Sequence, residues 1–78
     1  MSHHLDQIAF EAEKHLIPPD KWEEALPKLP EEGRKILEEE MAAPSGPTGL
    51  SKHPEHGYII VGSGQGPFII WSEKELPS

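Results

Sequence analysis

The chain has 78 residues, no cysteine, and fourteen acidic against seven basic side chains, for a net charge of −7. This length allows one domain over 1–78 with a small core, since a domain of this size buries only about 60% of the surface its unfolded chain exposes. The composition rules out disulfides and a thiolate zinc site, disfavours direct nucleic-acid binding, which needs a basic patch, and contains no apolar run near the roughly 20 residues of a membrane span.

Ser2 is placed to cap a first helix running to about Leu16. Leu5, Ile8, Ala9, Ala12 and Leu16 fall on one stripe, as an amphipathic helix requires, while Phe10 lies off it. Ile17-Pro18-Pro19 ends this helix, because a residue before proline avoids the helical region. Pro19 then suits the first turn of a second helix, with Asp20, Glu23 and Glu24 near its positive end. Trp22, Ala25, Leu26 and Leu29 repeat the helical spacing until Pro27 cuts the segment short. Pro30-Glu31-Glu32 starts a third helix whose buried face is Ile36, Leu37 and Met41, with Gly33 open to a close contact. Glu31 and Lys35 form an i,i+4 pair on it.

A loop is expected over 44–57, rich in proline and glycine and long for a connection inside a small domain. Two strands follow over 58–78: Tyr58-Ile59-Ile60-Val61 and Phe68-Ile69-Ile70-Trp71, joined by Gly62-Ser63-Gly64-Gln65-Gly66. Neither alternates apolar with polar, so both faces of this hairpin ask for cover. Strand periodicity places Tyr58 and Ile60 opposite Ile59 and Val61, and Phe68 and Ile70 opposite Ile69 and Trp71. After the second strand, Ser72 with Glu75 suits either one short turn or a strand extension.

Few residues form a pattern that carries chemistry. The glycine loop leads into Pro67 and a strand, whereas a phosphate cradle leads into a helix N-terminus, so a hairpin turn is the reading. His53-Pro54-Glu55-His56 brings two imidazoles and a carboxylate close together; a metal wants three or four such ligands, and His53 with His56 supplies only part of a site unless His15 or a second subunit completes it. Ser51, His53 and Glu55 on one contiguous loop make poor support for a catalytic triad. Trp22 and Trp71 read as core anchors. Glu38-Glu39-Glu40 closes the third helix, where the dipole disfavours negative charge, and so suggests an acidic docking surface.

The expectation is an α+β domain. Two or three short N-terminal helices (1–43) are followed by the 44–57 loop and a C-terminal antiparallel hairpin, which dimerises through Ile59, Val61, Ile69 and Trp71 because the helices shelter only one of its faces. The expected function is a small, acidic, cytoplasmic, non-catalytic interaction or regulatory module. It self-associates as a dimer, uses no cofactor and no metal, and docks a further, basic protein through Glu38, Glu39 and Glu40. The alternatives are an acidic inhibitor that imitates nucleic-acid phosphates and, behind it, a metal- or ligand-binding enzyme subunit using His53 and His56.

Overall fold

Prolines divide the N-terminal half into short pieces, as the sequence leads one to expect. The computed structural model describes residues 3–43, 48–62 and 66–75. Helix α1 spans His3–Glu13; the Ser2 cap lies outside the described residues. Lys14 and His15 then turn the chain, with the His15 N–H donating to the Ala12 carbonyl at 2.9 Å. Leu16 therefore does not end the first helix: Leu16–Ile17 form strand β1, which Pro18 stops after two residues. A 3-10 turn at Pro19–Lys21 leads into the single helical turn α2, Trp22–Ala25, and a second 3-10 turn at Leu26–Lys28 carries Pro27. Helix α3 covers Glu31–Ala42 after an extended Pro30, and its Glu31–Lys35 pair forms at 3.5 Å. Both side chains of that pair are well solvated, so it contributes at most a few tenths of a kcal/mol.

Strand β2, Gly49–His53, occupies much of the stretch expected to be loop. Strands β3, Gly57–Gly62, and β4, Phe68–Ser72, fall where the sequence places them, and β4 extends through Ser72. All pairings are antiparallel and the order is β1-β2-β3-β4. The expected hairpin is thus half of a four-stranded meander, and α+β holds for the whole. Residues 63–65 of the glycine loop, where a phosphate cradle was weighed, lie outside the described residues.

The sheet has a helical layer on each face. Leu50, Tyr58 and Ile60 bury against Trp22, Ala25, Leu29 and Leu37 of the α2–α3 layer. On the opposite face, Ile59 and Val61 bury against Ile8 and Ala12 of α1. The helices therefore shelter both faces of the ribbon within one copy, which corrects the expectation of a bare second face. The small stripe residues Ala9 and Ala12 explain how: with side chains this short, α1 can lie close to β3.

A bulge in β4 accounts for a second correction. Ile60 pairs with Trp71 and Val61 with Ile69, so Ile70 is an extra residue opposite no partner. The insertion turns Ile69 and Trp71 to opposite faces. Ile69 packs on the α1 layer and Trp71 on the α2–α3 layer, where strict alternation would have put them together. Among the described residues no helix is long and apolar enough to cross a membrane.

Candidate functional site

Of the four residues expected to form a dimer interface, Ile59 and Val61 are core, fully shielded by α1. Ile69 is half-buried beside them, and Trp71 lies half-buried on the other face. The Trp71 indole covers Gly33 of α3 so closely that a Cβ there would overlap its ring. The close contact expected at Gly33 is therefore made by this tryptophan. The sheet leaves its β4 edge open, with Phe68 51% and Ile70 42% exposed; at the β1 edge Leu16 is 48% exposed. The far end of the Phe68 ring lies over Gly62, where a Cβ would come within 2.5 Å of it; the glycine leaves room for this approach.

Of the acidic run, Glu38 and Glu39 are exposed and Glu40 is half-buried. Glu39 and Glu40 line an open groove with Ile36, Ala43, Thr48 and Ile70. The tertiary structure thus places two of the three carboxylates of the run, Glu39 and Glu40, beside the exposed β4 bulge; Glu38 does not line this groove.

The second notable cluster is the β2–β3 turn. Gly57, at φ +76°, closes the three-residue connection Pro54-Glu55-His56, a left-handed position that suits glycine. A Cβ there would also overlap the Glu73 carboxylate. The Tyr58 N–H donates to Glu73 Oε1 at 3.0 Å, and the Glu73 N–H donates to the Tyr58 carbonyl at 2.8 Å. His53, only 4% exposed, accepts the Glu55 N–H at Nδ1 at 3.0 Å and the His56 N–H at 3.3 Å. Its ring stands 4.6 Å from that of His56 and 6.5 Å from that of His15, centroid to centroid. Glu11 of α1 reaches His15 at 3.7 Å.

His53, Glu55 and His56 offer ligand atoms within 4.8 Å of one another. Their hydrogen bonding opposes a metal, however. A ring nitrogen that accepts two N–H groups carries no proton, so the neutral ring keeps its hydrogen on Nε2 and has no second lone pair to give. A ligating histidine has the reverse arrangement, donating from its other nitrogen. His53 is the acceptor that shapes the turn.

Ser51, weighed only as a nucleophile in the sequence, is fully buried and donates to the Ala12 carbonyl at 2.6 Å. It thereby ties the end of α1 to the central sheet, and its proton is committed to that carbonyl. Nothing in the sequence marks this role, because Ala12 and Ser51 lie 39 positions apart. The exposure of Phe68 and Ile70 was likewise hidden in an apolar run. No protein-family model, curated protein or solved structure matches the chain.

Proposed function

We propose that this chain is a small, acidic, non-catalytic protein-interaction module that self-associates through the outer edge of β4. One observation carries the reading: β4 is an edge strand of five residues that exposes Phe68 and Ile70. An uncovered apolar edge presents unpaired N–H and C=O groups to another strand, and natural proteins normally blunt such edges with charge or proline. Phe68–Ser72 contains neither, and the Ile70 bulge is the one such device it carries. The opposite edge, β1, is two residues long and ends at Pro18, a poor template for pairing.

The occupant is a second copy, arranged antiparallel about a two-fold axis so that the two sheets become one. Charge allows this. Phe68–Ser72 carries no charged side chain, so the paired strands bring no like charges of their own together, although Glu39 and Glu40 flank the edge. The groove of Glu39, Glu40 and Ile70 beside that edge supports a further contact with a basic partner, with the acidic field speeding encounter.

Sedimentation velocity over a concentration range tests the assembly. The expected result is a dimer that Ile70→Lys or Phe68→Lys converts to monomer with an unchanged far-UV spectrum. A wild-type protein that stays monomeric at millimolar concentration, or lysine variants that dimerise as well as the parent, would overturn the proposal.

A further inference from the structure

The β2–β3 turn and the end of α1 meet at one imidazole. His53 holds the turn by accepting two backbone N–H groups at Nδ1. Its ring faces His15, which follows α1, and His56 in the turn. Glu11 on α1 and Glu55 in the turn are the charged groups in range, both favouring protonation, whereas His56 and His15 oppose it. An open hollow lined by Ile8, Glu11, Pro54, Glu55 and His56 includes His53 in its wall. Two further hydrogen bonds lie alongside: the Ser51 hydroxyl to the Ala12 carbonyl, and the Lys52 N–H to the His15 carbonyl at 3.2 Å.

We propose that His53 is the latch of an acid-sensitive switch: a proton added at Nδ1 breaks the two bonds that shape the β2–β3 turn and loosens α1 from the sheet. The balance of the step is simple. Nδ1 gains the proton, so its lone pair is no longer available to the Glu55 and His56 N–H groups, which then face a donor. The same proton sets a cation beside two further imidazoles. Carboxylates from Glu11 and Glu55 offset part of that cost but restore neither hydrogen bond.

Burial, then the neighbouring His56, already holds the His53 pKa below its ordinary 6.5. The closed form therefore favours the neutral ring, and an opened form takes up the proton more readily. Opening at this end frees the α1 segment that covers Ile59 and Val61. The same sheet face carries Ile69 of β4, so release would also unseat the inner side of that strand. This inference stands apart from self-association, since it concerns a single copy.

Amide hydrogen exchange on dilute, monomeric protein tests it, with rates corrected for intrinsic pH dependence. Between about pH 7.5 and about pH 5.5, protection of the Ala9, Ala12 and His56 amides should fall roughly tenfold more than that of Leu50 and Ile60. His53→Asn keeps a side-chain acceptor for the turn without a titrating ring, and should abolish the difference. Equal loss at all sites, no loss in wild type, or the same loss in His53→Asn overturns the proposal. Should that variant not fold, nitrogen chemical shifts of the wild-type ring decide the matter. Near neutral pH, Nδ1 should be the unprotonated nitrogen, and its protonation should coincide with the loss of α1 protection; a proton on Nδ1 near neutral pH overturns the latch.

Discussion

Trp71 and Gly33 show how one residue's shape sets another's identity. A Cβ on Gly33 would overlap the distal edge of the Trp71 indole, a half-buried ring packed against the core of the α2–α3 layer. Two effects oppose each other in Gly33→Ala. Helix propensity favours alanine by about 1 kcal/mol, while forcing a methyl group into a filled contact costs about 1–3 kcal/mol. The overlap should win, giving a net loss of up to about 2 kcal/mol in urea unfolding. A rise in stability would mean that the indole is not seated on α3. Ser51 makes a related point with a polar group. Its buried hydroxyl donates to the Ala12 carbonyl, which also accepts the His15 N–H, so removing it costs the net worth of one hydrogen bond, about 1 kcal/mol.

Within the sheet, the β4 bulge decides which side chains meet which layer. Ile70 is the inserted residue, and on either side of it the ladder is regular: Gly62 with Phe68, Val61 with Ile69, Ile60 with Trp71, Ile59 with Ser72. Deleting Ile70 should therefore close the ladder without turning any of these side chains to the wrong face. The expected outcome is a folded protein with the near-UV signature of a packed Trp71 and a stability within about 1 kcal/mol of the parent. The same deletion removes an exposed apolar residue from the edge, so self-association should weaken. Collapse of the fold would show that the bulge, rather than the pairing, holds β4. The expectation that Ile69 and Trp71 share a face failed for this reason: periodicity presumes an uninterrupted ladder, and two adjacent isoleucines look alike whether or not one of them is extra.

For the molecule as a whole, the pH dependence of stability has a definite sign. In the folded chain His53 titrates below 6.5, chiefly because it is buried and secondly because of His56. As pH falls through 6.5, the unfolded chain takes up a proton that the folded chain refuses, so this residue's contribution to stability shrinks with acidification until the folded ring also protonates. Urea midpoints measured from neutral pH downward should fall in that window, and His53→Asn should flatten the fall. An unchanged midpoint across it would mean that His53 titrates alike in both states. The two layers flanking the sheet also explain how so short a chain manages without disulfides: a single central ribbon, β3, carries apolar side chains on both sides and serves two cores at once.

Local order was legible in the residues themselves. Prolines at 19, 27 and 30 marked the short helical pieces after β1, because a missing N–H and a locked φ act without any partner, whereas α1 stopped at Glu13, ahead of Pro18. The apolar runs at 58–61 and 68–71 marked two strands and their demand for cover on both faces. What satisfied that demand was decided only by tertiary packing. Gly49–His53 has one large apolar residue and flanking glycine and proline, so it reads as loop; it becomes a strand because β1 and β3 bond it on either side. The Ile8–Ala12 stripe could have faced either layer, and its placement over Ile59 and Val61 turned an expected dimer surface into core. Contacts such as Ser51 with Ala12 or Trp71 with Gly33 join residues 39 and 38 positions apart. Nothing in the local chain encodes such pairings, because their energy exists only once the layers have closed.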